Sequence, residues 1–250
     1  MNNKLLILNL GVDSENTSLA FTQKWINNIS LNFASVDVLT MKVGSKYQLN
    51  KNVNLFFIND QNTKYTKIYQ LRKLNKITKK LIKNNDYTHC FAHMAPMQHV
   101  VAKLYLMQKN IKTTLWFTHS GPKFGIKWLI LWFSSLLANN IVTASKHSFP
   151  FRFKKVKCIG HGITFENFFN ERKTFQLENI SILSRVSKSK NIENTLDNII
   201  KCKNFENINI DVIGGTLNSD DEGYLNKLLI KYKNFKNINF LGKQPHAKLP

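Results

Sequence analysis

Arg185 and Lys190 are the two residues whose types and spacing point most directly to chemistry. Arg185 closes an apolar run (Ile180, Ile182, Leu183), and Lys190 follows five residues later. Ile192, Leu196, Ile199 and Ile200 then fall on one helical face. A strand thus hands two cations to a helix N-terminus, where free N–H groups and the positive end of the helix dipole already favour an anion. Arginine can add a bidentate fork to a phosphate and lysine a point charge. The pattern reads as a seat for a diphosphate, and equally as two surface cations on a very basic chain. Arginine is scarce, with Arg72, Arg152, Arg172 and Arg185 the four among 36 basic residues, which gives Arg185 added weight.

In doubly wound sheets ligands sit beyond the C-terminal ends of the strands, so polar residues that follow apolar runs are the further candidates. Gly11 follows Leu5–Leu10; it allows close ligand approach, or simply turns the chain, and no GxGxxG fingerprint accompanies it. His93 follows Tyr87–Ala92 and His119 follows Thr113–Phe117, where a general acid/base, a sugar-hydroxyl partner or an ordinary loop histidine would stand. Gly160, His161 and Gly162 follow Val156–Ile159 and either line a cleft or form a turn. Gly214, with Gly215, follows Ile208–Ile213 and either leaves room for a ligand or suits a tight turn. Cys90, Cys158 and Cys202 are scattered without a CxxC, so no disulfide framework, zinc spacing or other metal site is expected. Cys90 and Cys158 lie in apolar runs and are expected in the core of a protein from a reducing, cytoplasmic compartment.

The elements that must position these residues alternate. Short apolar strands are expected at 5–10, 36–39, 53–58, 87–92, 113–117, 141–144, 156–159, 180–183, 208–213 and 238–241, and helices at 18–29, 68–82, 96–108, 125–137, 192–200 and 224–232. This alternation predicts an α/β protein with parallel, doubly wound sheets. Residues 1–165 are sized for a full Rossmann-like domain, 166–178 read as a linker, and 179–250 form a second, smaller unit of three strands and two helices. That is fewer than a Rossmann-like domain usually carries, so the second domain is expected to be incomplete.

The formal net charge of +21 calls for an anionic partner: nucleic acid, a phosphorylated substrate or an acidic membrane surface. No RNP-like strand, helix-turn-helix or zinc spacing supports nucleic acid, which is kept as a second alternative but not expected as a partner. The basic helix at 68–85 and the stretch Phe149–Lys157 suit an anionic membrane surface, or are merely solvated. The apolar run Trp128–Leu137 is too short to span a bilayer; it is a buried helix or one lying in the interface plane.

With these residues placed, the chain resembles the family 4 glycosyltransferases of the GT-B fold. The resemblance rests on Ile182-Leu183-Ser184-Arg185-Val186 with Lys190, on Ile210–Gly215, on Phe240-Leu241-Gly242, and upstream on Trp116-Phe117-Thr118-His119 and Ile159-Gly160-His161-Gly162-Ile163. It implies two Rossmann-like domains facing across a cleft, the second holding a nucleotide sugar and the first a glycan or lipid-linked acceptor. Carried over, Arg185 and Lys190 bind the donor diphosphate without a metal or other cofactor. His119 sits near the reacting sugar as the catalytic residue, and Gly11 lets the first loop approach the phosphate. His93, Gly160, His161, Gly162 and Gly214 line the cleft. The implied activity is retaining sugar transfer to a cell-envelope polysaccharide or lipopolysaccharide-type acceptor, in the cytoplasm or peripherally on the inner membrane face. Ser184 and Asn191 stand where the family more often has glycine, and the E-x7-E element that holds the donor sugar would fall after Pro250. A C-terminally truncated, non-catalytic remnant or partner subunit is therefore the first alternative, and an epimerase of the same fold another.

Overall fold

The computed structural model describes residues 3–15, 19–59, 65–119, 121, 124–162 and 177–244. The expected linker 166–178 lies outside the described residues except for Leu177 and Glu178. The chain divides into two compact units, Met1–Gly162 and Ile163–Pro250.

Among the described residues of the first unit seven strands form one parallel sheet: β1 (Lys4–Val12), β2 (Ser35–Val43), β3 (Val53–Asn59), β4 (His89–His93), β5 (Lys112–Trp116), β6 (Asn140–Thr143) and β7 (Val156–Cys158). Their order is β3-β2-β1-β4-β5-β6-β7, and every neighbouring pair is parallel. The order reverses between β1 and β4, which makes that crevice the switch point where such folds bind ligands. β1 is central, and Leu5 through Leu8 are buried as a continuous apolar run, as parallel strands covered on both faces require.

Helix α1 (Phe21–Ser30) packs Ile26, Trp25 and Ile29 on one face of the sheet, against Leu5, Ile7, Val36 and Val38. Helices α2 (Lys67–Asn84), α3 (Pro96–Leu106) and α4 (Ile126–Leu137) cover the other face through Leu74, Leu81, Ala102, Leu106 and Leu131. Local chemistry sets the helix starts. The Thr66 side chain accepts from the Tyr69 N–H to cap α2, and Pro96 opens α3, where a missing N–H costs nothing. On β2, the buried Asp37 accepts from the Tyr87 hydroxyl at 2.6 Å and lies 3.2 Å from Lys4 Nζ.

The second unit has strands β8 (Asn179–Leu183), β9 (Asn209–Ile213) and β10 (Ile238–Gly242) in the order β10-β9-β8, all parallel. Helices α5 (Ile192–Ile200) and α6 (Ser219–Tyr232) share its core with Val186, Ile210 and Val212. Asn218 caps α6 by accepting from the Asp221 N–H, and the acidic first turn complements the helix dipole. Carboxylates of α5 meet lysines of α6: Lys231 lies 2.9 Å from Glu193 and 2.7 Å from Asp197, and the Tyr232 hydroxyl donates to Asp197.

The structure corrects several expectations. β1 runs on to Val12, so Gly11 belongs to the strand and pairs with Lys42 instead of sitting in the loop. In α2, Ile68 and Leu71 are exposed, and burial begins only at Leu74. Cys158 is exposed because β7 is an edge strand; Cys90, on interior strand β4, is buried as expected. The run Trp128–Leu137 is not a buried helix: α4 buries Leu131, Ser134 and Ser135 and leaves much of its apolar surface in solvent. Among the described residues no helix is long and apolar enough to cross a membrane.

Candidate functional site

In the second unit three strand ends meet at one place. Chain leaving β8 turns through Ser184 and Arg185, that leaving β9 through Gly214 and Gly215, and that leaving β10 through Lys243. Ser184 N–H donates to the Ile213 carbonyl and Val186 N–H to the Gly215 carbonyl, both at 3.0 Å, so the two turns are laced together. Gly214 N–H donates to the Gly242 carbonyl at 2.9 Å and ties in the third. A β-carbon on Gly214 would collide with the carbonyl of Ser184, so the turn that carries Arg185 can pack only on a glycine. The space left by the missing side chain of Gly214 is therefore filled by the Arg185 turn itself and not by a ligand.

Val186 and Ser187 are buried and anchor this turn, while Arg185 stays partly exposed. The Arg185 Nε lies 3.7 Å from Asp221 Oδ2 at the start of α6. This loose pairing is made through Nε, so the two terminal nitrogens keep their fork geometry for an anion. Lys190 ends a short 3-10 turn (Lys188–Lys190) that leads into α5 through Asn191. Its ammonium is exposed and has no ion-pair partner among the described residues. Asn191 adopts φ 54°, a left-handed conformation that asparagine tolerates, which explains why it can replace glycine there.

The N-terminus of α5 is less open than the sequence suggests. The Glu193 N–H donates to the Tyr224 hydroxyl at 3.1 Å, and the Thr195 N–H to the Asn191 carbonyl. What remains for an anion is the side-chain cations, Arg185 and Lys190 each taken singly, more than the helix end. Lys243 starts beside the same turns: its β-carbon would lie 3.3 Å from a β-carbon on Gly215. Sequence reading missed Lys243 and Asp221; the signal for Lys243 was its place directly after a strand end.

In the first unit the switch point is aromatic. His93, at the end of β4, packs its ring 4.7 Å from Trp25 of α1 and 6.4 Å from Trp116 of β5, and Phe21 closes on it at 5.9 Å. Trp116 in turn meets His161 at 5.8 Å. Burial pushes the His93 imidazole down to about pKa 4, and the neighbouring His161 adds to the shift. His93 is thus neutral near pH 7 and suits a hydroxyl better than a phosphate. The next residue, Met94, takes φ 53°, and its sulfur accepts from the Thr118 N–H at 3.3 Å, joining the loops after β4 and β5. His119 stands exposed beyond this junction, edge-on to Phe117 at 6.3 Å.

The remaining candidates differ among themselves. Gly11 is buried, and the gap beside it is taken by Leu19, while its carbonyl accepts from the Thr22 hydroxyl. Gly160, at φ 77°, and Gly162 are exposed with open space around them. His161 is therefore held between two unobstructed backbone positions and reaches Trp116. Within the first unit His93, Trp116 and His161 form one cluster, and Gly11 lies inside the sheet. Within the second, Arg185, Gly214 and Lys243 meet. Among the described residues no three His, Cys, Asp or Glu side chains converge as metal ligands would.

No family profile matches the sequence, and no curated protein sequence is similar to it. Solved structures are. HepE of Anabaena, crystallised with UDP, superposes at a TM-score of 0.65 with 13% identity, over 96% of this chain and 69% of HepE. The lipopolysaccharide outer core galactosyltransferase WaaB gives 0.60 and 9%, over 98% of this chain and 69% of WaaB. A UDP-GlcNAc 2-epimerase from Methanocaldococcus jannaschii gives 0.55 and 11%, over 96% of this chain and 73% of the epimerase. At such identities the likeness is one of fold. The chain therefore has the α/β fold of the GT-B glycosyltransferases, a fold that epimerases of nucleotide sugars share.

Proposed function

We propose that this chain binds a nucleotide sugar through Arg185 and acts in the transfer of its sugar to a glycan or lipid-linked acceptor. The carrying observation is the turn Ser184–Arg185, whose backbone is braced on Gly214 at the C-terminal end of a parallel sheet. Its fold neighbours supply the ligand class: HepE is seen with UDP and with UDP-glucose. A glycan or lipid-linked acceptor is supported by WaaB, a lipopolysaccharide outer core galactosyltransferase.

In this reading the bond between the sugar's anomeric carbon and the diphosphate oxygen breaks, and its electron pair leaves with the nucleoside diphosphate. The acceptor hydroxyl bonds to the anomeric carbon on the face that the diphosphate leaves, which retains the configuration, and passes its proton to the departing diphosphate oxygen. Arg185 and Lys190 offset the charge that builds on the diphosphate, with Lys243 adjoining. On the first unit, His119 is the catalytic candidate. Neutral His93, with the His161 ring meeting Trp116 as well, gives a hydroxyl partner next to an aromatic surface. The work would be done in the cytoplasm, peripheral to the inner face of the membrane, where nucleotide sugars meet lipid-linked acceptors.

The experiment is calorimetric titration of the chain with UDP and with UDP-glucose, alongside radiolabelled sugar transfer to a lipid-linked acceptor extract. Binding of UDP that disappears in Arg185→Ala supports the donor seat. Interconversion of the free nucleotide sugar without transfer would assign the chain to the epimerases instead.

A further inference from the structure

Helix α4 is built inside out. At 100° per residue, Leu131, Ser134 and Ser135 form its buried side, and two of these three are serines. Small residues let α4 lie close on α3, where Ser134 Oγ is 2.8 Å from His99 Nδ1. Its opposite side carries Ile126, Leu129, Trp132, Phe133 and Leu136 on one stripe of about 120°. These are exposed, from 70% for Ile126 to 38% for Trp132, and Phe124 just before the helix is 90% exposed. A soluble helix places such residues inward; here the larger apolar side faces out.

The charge around this stripe is of one sign. Between Asp60 and Glu166 the sequence has 18 Lys and Arg and a single acidic residue, Asp86, which Lys109 neutralises at 2.9 Å. Helix α2, on the same sheet face with α3 between it and α4, directs Lys76, Lys79, Lys80 and Lys83 to solvent. Nearer α4, Lys127, Arg152 and Lys154 are exposed. An apolar stripe inside a field of cations free of carboxylates matches one chemistry: an acyl layer beneath anionic headgroups. α4 has 12 residues, about 18 Å of helix, too short to cross a hydrocarbon core of about 30 Å but suited to lie within the interface. Stacked nucleic-acid bases fit less well, because Leu129, Leu136 and Ile126 offer no aromatic face and Trp128 and Trp132 already stack on each other at 6.4 Å.

We propose that the outer face of α4, from Phe124 to Leu136, docks on an anionic lipid surface, with α2 laid on the headgroups beside it. Trp132 then sits at the depth where indole rings favour the membrane interface. This holds whatever the second unit binds.

Co-sedimentation with phosphatidylcholine vesicles, with and without phosphatidylglycerol, tests it, using the whole chain. The anionic vesicles should bind the chain, pure phosphatidylcholine should bind it far more weakly, and raised salt should release it. The double variant Leu129→Gln/Phe133→Gln should lower partitioning at least tenfold while circular dichroism melting stays unchanged. Each of Lys76→Gln and Lys79→Gln should lower it by roughly fivefold, the change expected per cation near an anionic surface. Brominated lipid should quench tryptophan fluorescence, and less so in Trp132→Phe. Failure to bind anionic vesicles, or binding untouched by the double variant, overturns the proposal. So does a dimer in sedimentation velocity that the double variant dissolves, or a preference for oligonucleotide over vesicles at physiological salt.

Discussion

Gly214 lies against Ser184 so closely that a β-carbon on it would run into the Ser184 carbonyl. The contact ties the exit of β9 to the turn that presents Arg185. It explains a glycine that the sequence shows only as half of a Gly-Gly pair, and it fixes the backbone from which the Arg185 side chain starts. Gly214→Ala should therefore damage two things at once. Thermal unfolding should show the second unit weakened, by about 1–3 kcal/mol as overpacking usually costs, and nucleotide affinity should fall although no ligand contact was removed. Gly162→Ala, where the added carbon meets nothing within 4 Å, is the matched control and should leave stability unchanged.

Acid should unfold the first unit early. His93 and His99 are both held near pKa 4, chiefly by burial, against about 6.5 in an unfolded chain. Between those values the unfolded chain binds the extra protons, so stability is full above pH 6.5 and is lost as pH falls towards 4. For wholly buried His99 the loss is on the order of 3 kcal/mol. Urea denaturation at pH 7 and pH 4.5 should show a large drop. His99→Asn, which keeps a polar partner for Ser134, should flatten the pH dependence even if it lowers stability at pH 7.

Thiol reactivity should separate the three cysteines. Cys90 is buried and its thiol is pushed up to about 12 by burial, whereas Cys158 and Cys202 are exposed. A disulfide reagent should titrate two thiols in the native protein and three in denaturant. Fast reaction of Cys90 in the native state would contradict the placement of β4 in the sheet interior.

The fold was legible in the sequence because parallel strands and their covering helices leave opposite signatures. Leu5–Leu8 reads as a strand buried on both faces, and α5 matches its expected bounds residue for residue because Ile192, Leu196 and Ile200 repeat at helical spacing. Periodicity misled where apolar residues serve another end. Ile68 and Leu71 continue the α2 pattern yet lie in solvent, and α4 is apolar on its exposed side. Cys158 misled because an apolar run does not say that its strand is an edge. At the candidate site, Arg185 and His93 were legible as polar residues after strands. Lys243, Asp221 and the role of Gly214 were not, because each depends on which strand ends lie side by side, and neighbour order is a property of topology.

The most direct test of the account is calorimetric titration of UDP into the wild-type chain and into Arg185→Ala, Arg185→Lys and Lys190→Ala. A charge-assisted contact to a phosphate contributes about 1.5–3 kcal/mol, so Arg185→Ala should lower affinity at least tenfold. Arg185→Lys should recover only part of it, since an ammonium keeps the charge and loses the fork, and Lys190→Ala should cost less than Arg185→Ala. Equal UDP affinity in the wild type and Arg185→Ala would contradict the diphosphate seat and, with it, the proposed function.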